Sequence, residues 1–566
     1  MSLARTTARL LPAVLLASTG SIIASIAAAQ APICSPAPII DQGRSLVVTD
    51  AALDKTKFSF VNTINAILKS LQIQTTAENR ENFVKSLLTS MNDDDMVNPV
   101  SGLRMKVDIR ALEAGLDPKN LLDPTDPIGL VPIALFNRLD LAPQDWSNCG
   151  EHRIVYGFKA PVPKGGPDSR FFLIFEARVD NALPQKSGFE GCRAVVKLWR
   201  DLSDENDAST RATRLEDFYY KGAPGVSGPV VRAQNYGGPL GQVRGNLFIN
   251  APGKFKWQLR EWIVINSGAP TPASFTPVTV KENPLPEFYS DTTGPNTLDV
   301  PLEITERTEF QTQFKSTFLK RLVEPDVLRQ FLTNGQPGYV SELDPKSTSF
   351  DPSKYKIDIL NRFGARFDNR FNEFQSVSQG SEDDPKTIVE TSGPVFAAGV
   401  SNALNAFVID PPQKPTRDDV LSRGGAVTCG GCHQFAANRQ VGSVNNQPIA
   451  WPASAPGGFV HVTESAALSP ALTDVFLPFR AERLQEAACI APPGPATPEA
   501  VASAPRSLAL ENARRAYWQQ LLGDAREQKL DVARRAVTRA AVQAIAEQRQ
   551  EENQKPGYFV TNRRPH

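Results

Sequence analysis

Two thiols and an imidazole stand together in the stretch Thr428, Cys429, Gly430, Gly431, Cys432, His433, which reads Cys-x-x-Cys-His. This is the spacing at which two cysteines reach the two vinyl groups of one haem and form thioether bonds, while the adjacent histidine offers a ring nitrogen to the iron. The intervening glycines add little bulk at the turn. With six Cys and four His in 566 residues, roughly 0.0004 such pentapeptides are expected by chance. Three other chemistries use the same side chains. Cys429 and Cys432 as a redox dithiol require neither the Gly-Gly filling nor the following His, and no thioredoxin-like βαβ pattern precedes them. A Cys₂His₂ zinc site with His433 and His461 has to close a tetrahedron around the adjacent Cys432 and His433, which strains it. A small structural disulfide is the third, and the residues alone leave all of these open.

In this motif the chain resembles the c-type cytochromes. The resemblance covers the motif and about a hundred residues around it; the remainder matches no enzyme family. It implies one covalent haem c on Cys429 and Cys432, with His433 as proximal axial ligand. It also implies export, because c-type haem is attached outside the cytoplasmic membrane in bacteria. Small single-haem members of the group take a downstream Met as second ligand, and here the chain departs from the pattern: no Met follows Met105. His461, in Phe459-Val460-His461-Val462, is therefore the candidate distal ligand, unless His152, His566 or an N-terminal Met is brought in by the fold. Bis-His ligation closes the iron to substrate and favours a lower potential than His/Met, whereas a vacant position would bind peroxide, oxygen or another small ligand. Di-haem peroxidases carry two attachment motifs, so their relay does not transfer to a chain with one.

The first residues fit the expected export. Arg5 and Arg9 precede the apolar run Leu10 to Ala29, and Ala27-Ala28-Ala29 is a small-residue exit, so residues 1–29 read as a signal peptide cleaved before Gln30. An uncleaved anchor helix is the alternative, and no later stretch is apolar for long enough to cross a bilayer. The expected compartment is the periplasm or the exterior. If haem takes Cys429 and Cys432, then Cys34, Cys149, Cys192 and Cys489 remain, an even number in an oxidising compartment. Of the three possible connectivities, Cys149 with Cys192 is favoured because they flank successive strand-like segments; Cys34 with Cys489 would then tie the mature N-terminus to the region after the motif. Buried free thiols are the other option.

Composition describes an ordinary globular protein: 41% hydrophobic, 22% charged and zero formal net charge. That balance gives no reason to expect nucleic acid or an anionic membrane as partner. Gly-x-Ser-x-Gly and His-Glu-x-x-His are both absent, and four histidines leave few general bases for a hydrolase.

The elements that must carry the motif follow from periodicity. Phe58–Leu71 and Glu78–Met91 have apolar residues at helical spacing within a mixed or helical segment over 30–149. Asp-Pro pairs from Asp117 to Pro127 mark turns. From about 150 to 300 the runs Arg153–Tyr156, Phe171–Phe175, Ala194–Trp199, Leu247–Ile249 and Trp257–Ile265 are β-branched or aromatic and bounded by Gly, Pro and Asp, which predicts an antiparallel sheet or sandwich. Trp257–Ile265 alternates as a strand with one wetter face would. A helical connector is expected over 301–390, with a Phe363, Phe367, Phe371, Phe374 stripe packed into a core. A mainly helical c-type haem region follows over 391–490, with a helix from Pro394 and another starting at Ser469-Pro470. A linker over 491–506 leads to a long helix and tail over 507–566. The expected fold class is thus α+β multidomain: an antiparallel β-rich central domain, a mainly helical cytochrome c-like haem region and a long C-terminal helix. The function expected is that of an exported monohaem redox protein, by electron transfer or haem-dependent oxidation, acting on a redox partner protein or a small-molecule substrate. A secreted binding or structural protein with zinc or a disulfide at Cys429, Cys432 and His433 is the alternative.

Overall fold

The computed structural model describes residues 34 and 36–281 apart from 98–103, 107–108, 144–145, 161–168, 184–187, 238–240, 250–257 and 267–272. It then describes residues 394–405, 415–426, 437–444, 447–453 and 460–490. The stretches expected to be a signal peptide (1–29), a helical connector with its Phe stripe (301–390), a linker (491–506) and a long helix and tail (507–566) lie outside the described residues.

The strands are β1 (Val47–Val48), β2 (Asp95–Val97), β3 (Arg104–Lys106), β4 (Leu130–Arg138), β5 (Asn148–Phe158), β6 (Arg170–Asp180), β7 (Gly241–Phe248), β8 (Gln258–Ile265), β9 (Ser274–Lys281), β10 (Gln440–Val444) and β11 (Gln447–Ala450). The helices are α1 (Gln42–Ser45), α2 (Phe60–Ser70), α3 (Ala77–Thr89), α4 (Ala111–Ala114), α5 (Pro118–Leu122), α6 (Arg193–Asp204), α7 (Ala208–Glu216), α8 (Pro394–Asn405), α9 (Arg417–Ala426) and α10 (Leu477–Ala488). No described helix is long and apolar enough to cross a membrane.

A seven-stranded antiparallel sheet in the order β1-β4-β5-β6-β7-β8-β9 is the framework. The molecule is therefore a mixed α+β protein. The sheet crosses the boundary expected at residue 150, because β1 and β4 come from the N-terminal segment. Its inner face takes the helices. Ser59 caps α2 by accepting from the Asn62 N–H, and Phe60, Ile64, Ile67 and Leu68 then fall on one buried side. Phe60 meets the rings of Tyr156 on β5 and Phe175 on β6. Thr76 caps α3 in the same way, and Phe83 stacks on Phe275 of β9 with centroids 4.2 Å apart.

Two expectations need correction. Ala194–Trp199 is not a strand but the first half of α6: Val195, Val196, Trp199 and Leu202 are buried at helical spacing, and that spacing outweighs the β preference of the two valines. Nor has β8 a wetter face, since every residue from Gln258 to Val264 is buried. The polar positions of the outer face are instead paired with each other across the strands. Arg153 on β5 bonds Glu151 at 2.6 Å and approaches Glu176 on β6 at 3.2 Å. Arg244 on β7 reaches Glu176 at 3.3 Å and Glu261 on β8 at 2.7 Å. At the top of β4, Arg138 forms a two-pronged pair with Asp140, both bonds 3.0 Å long.

Burial pushes the Glu151 carboxyl up, but the Arg153, Arg138 and Arg244 guanidiniums outweigh it and hold it below the ordinary range. For Glu176 burial prevails over Arg153 and Arg244, with Glu151 and Glu261 adding to the rise, so this carboxyl sits above the ordinary range.

Two disulfides cross-link the described residues. Cys149 joins Cys192, placing the start of β5 against the start of α6. Next to it, Gly150 lets β5 lie close against the end of β4: its φ is +81°, and a Cβ there would stand 2.6 Å from the Arg138 carbonyl oxygen. Cys34 joins Cys489 at the end of α10.

Candidate functional site

Cys429, Cys432 and His433 lie outside the described residues, as does His566. The described chain stops at Ala426, the end of α9, and resumes at Ala437. The two flanks are fastened together. Arg423 on α9 is fully buried and donates its Nε–H to the Val441 carbonyl of β10 at 2.6 Å. Beyond β10, the chain turns back through β11 to Trp451, which exchanges backbone bonds with the motif's downstream flank: the Asn438 N–H donates to the Trp451 carbonyl at 3.0 Å, and the Trp451 N–H to the Arg439 carbonyl at 2.8 Å.

From Trp451 a line of rings leads to the candidate distal ligand. The buried Trp451 indole lies 6.2 Å from the Phe476 ring, which meets the His461 imidazole edge-on at 6.0 Å. Arg480 on α10 places its guanidinium 5.5 Å from the other partner of that contact, Phe476, and 3.6 Å from Asp140. The segment also holds the sheet through Glu464, which pairs with Arg170 of β6 at 2.6 Å.

His461 is half-buried between the buried Val460 and Val462. Its Nδ1 lies 2.7 Å from the Ser469 hydroxyl, and its carbonyl accepts from the Ser469 N–H at 2.9 Å. A bridge between Val462 and Leu468 closes the short loop that brings residues 461 and 469 together. Ser469 then opens the helical run at Pro470 that leads into α10, as its Ser-Pro sequence predicts, and its hydroxyl accepts from the Leu472 N–H at 3.2 Å.

These residues fit a haem in their donor chemistry. A metal-ligating imidazole is commonly held by a partner on its other ring nitrogen, and the Ser469 contact at Nδ1 is of that kind. Among the described residues, no group of three or more His, Cys, Asp and Glu side chains is arranged to hold a metal ion. The four cysteines in the two disulfides leave, of six in the chain, Cys429 and Cys432.

His152, the other described histidine, occupies the inner face of β5. It is fully buried, parallel to the Trp199 ring at 5.6 Å and edge-on to Phe218 at 4.9 Å. Neither ring nitrogen has a hydrogen-bond partner. Burial drives its pKa down to about 3, against a weaker opposing pull from the nearby Cys149 backbone and Glu151. It is a neutral core residue.

Sequence reasoning did not find Ser469, Trp451 or Phe476 as neighbours of His461. The Ser469-Pro470 pair signals a helix start, but nothing in the sequence joins it to a histidine eight positions earlier. Comparison with protein-family models, with curated proteins and with solved structures finds no match to this chain.

Proposed function

We propose that this chain is an exported monohaem c-type protein of cytochrome-like character, and that it transfers electrons. The observation that carries the reading is the Cys-x-x-Cys-His at Cys429, Cys432 and His433. The cysteine pairing supports it, because Cys34–Cys489 and Cys149–Cys192 account for every other thiol. Haem c, when bound, supplies a reversible one-electron couple. Cys429 and Cys432 would anchor it through thioether bonds, and His433 and His461 would be the imidazoles that hold its iron. The Ser469 contact at Nδ1 and the edge of Phe476 favour this role for His461, since both limit rotation of the ring.

Held by two imidazoles, the group would supply electron exchange rather than a substrate-binding position, and the partner would be a redox protein. The finer architecture belongs to the same reading: a mainly helical cytochrome c-like region over 391–490, a long helix over 507–566, a signal peptide over 1–29 and a periplasmic or secreted location. The test is production in a host with c-type haem maturation, followed by intact mass. The wild type gains one covalent haem, and Cys432→Ala loses the normal two-thioether product. A wild type without haem, alongside a matured control cytochrome, refutes the proposal and turns the motif into a zinc or disulfide site.

A further inference from the structure

We infer that His152 is an acid-operated latch: neutral, it holds α6, α7 and the helical turn Asp217–Lys221 on the inner face of the sheet, and protonated, it lets this unit open ahead of the rest. The inference is independent of the haem reading.

Helices cover the inner face in two parts. α2 and α3 lie over the half from Tyr156 to β9: Phe60 meets Tyr156 and Phe175, Phe83 stacks on Phe275, and the Trp262 indole N–H donates to the Ser90 hydroxyl at 2.8 Å. Residues 193–221 lie over β4 and β5 around Phe136 and His152. Trp199 and Phe218 enclose the imidazole, and the Tyr219 hydroxyl donates to the Arg153 carbonyl at 3.1 Å. The two parts meet where Phe58 and Thr63 touch Tyr219 and Tyr220. The second part can therefore leave the sheet as a local unit while the first stays packed. The Cys149–Cys192 bond at its start keeps it tethered, so that opening is reversible.

The surroundings of His152 give an imidazolium no counter-charge. The buried side of α6 consists of Val195, Val196, Trp199, Leu202 and Ser203. Asn137 on β4 and Ala177 on β6 are the register partners of His152, and α1 contributes Ser45, whose hydroxyl donates to the Trp199 carbonyl at 2.6 Å. From the turn comes Tyr219, a titratable group that burial keeps neutral. Glu151 is held by Arg153 on the outer face, and its pull on His152 is weaker than the effect of burial. α7 turns its buried Arg211 to Asp50 at 2.7 Å. Neither ring nitrogen of His152 has a hydrogen-bond partner.

The ion pairs that also fasten the unit keep their charges between pH 8 and pH 5. In Asp50 burial pushes the carboxyl up but the Arg211 and backbone bonds outweigh it, and in Glu216 the Lys57 bond, 2.6 Å long, lowers it; both lie below the ordinary range. Of the groups named, His152 is the one that changes charge in that interval. Its pKa falls from 6.5 when exposed to about 3 when covered, so the closed form is favoured above pH 6.5 and loses that advantage as the pH drops. Linkage then raises the opening equilibrium about 30-fold between pH 8 and pH 5.

Hydrogen–deuterium exchange of the full-length protein tests this, read by peptide mass spectrometry at both pH values and corrected for the intrinsic pH dependence of amide exchange. Opening of 193–221 should rise about 30-fold, opening of 60–89 should rise less, and His152→Phe should remove the difference between the two regions. No rise in 193–221, or the same rise in His152→Phe, overturns the inference. An equal rise in both regions also overturns it, because acid then loosens the sheet as a whole. Should His152→Phe fail to accumulate, His152→Gln, uncharged at either pH, takes its place with the same outcomes.

Discussion

Lowering the pH should unfold the central sheet through His152, and the size of the effect can be worked from its surroundings. The imidazole is enclosed by Trp199 and Phe218 on the inner face of β5, with no hydrogen-bond partner for either nitrogen. Burial brings its pKa from 6.5 in the open chain to about 3 in the fold. Between those values the unfolded chain binds a proton that the folded one refuses. The stabilisation is therefore complete above the unfolded pKa and is lost as pH falls from about 6.5 toward 3. Linkage gives a loss of about 2 kcal/mol between pH 8 and pH 5, rising to about 3 kcal/mol at pH 4. Many carboxylates titrate over the same range, so the comparison must be with a variant.

His152→Phe keeps a flat ring against Trp199 and removes the two unsatisfied nitrogens. In urea unfolding at pH 8 and pH 5, disulfides intact, its drop in stability should be about 2 kcal/mol smaller than that of the wild type. At pH 8 the variant should be within about 1.5 kcal/mol of the wild type, the range for a near-isosteric core change. An identical drop in both proteins refutes the reasoning, because it means that the folded protein protonates His152 as readily as the unfolded chain does.

The ionic ladder on the outer face predicts a second pattern. Arg244→Met strips the buried Glu261 and Glu176 of a shared cation and should cost about 3–5 kcal/mol, while Arg244→Met with Glu261→Leu should recover most of that loss; chemical unfolding of the single and double variants measures both. The Cys149–Cys192 bond closes a loop of 43 residues in sequence separation. Replacing both by Ser should destabilise the sheet by about 4 kcal/mol on the chain-entropy account, and a loss below about 1 kcal/mol in the same assay would contradict it.

How far the sequence could be read depended on whether a neighbour was local. The helices at Phe60–Ser70 and Ala77–Thr89 were legible because their caps and apolar spacing lie within one turn of each other. Strands at Arg153–Tyr156 and Phe171–Phe175 were legible for the same reason. β4 was not, since Pro132 and the preceding Asp-Pro turns mask a strand that tolerates proline at a bulge between Pro132 and Ala134. The two valines of α6 suggested a strand, although Trp199 and Leu202 complete a helical face. The polar alternation in β8 suggested solvent, but Glu261 faces Arg244, whose position on a neighbouring strand is set by sheet register and not by sequence distance.

The candidate site divides in the same way. Cys429, Cys432 and His433 announce their chemistry in five residues. The partner of His461 depends on a loop that returns Ser469 to it, and its ring neighbours Phe476 and Trp451 belong to separate elements. The His152 core site was unmarked because Trp199 and Phe218 lie far along the chain.

The most direct measurement of the central claim is an alkaline pyridine haemochrome spectrum on full-length protein matured in a host that attaches c-type haem, with intact mass on the same sample. The account predicts one covalently held haem per chain, absent as a two-thioether product in Cys432→Ala. A spectrum without haem from a host that matures a control cytochrome would contradict it, and Cys429, Cys432 and His433 would then have to be read as a zinc or disulfide site.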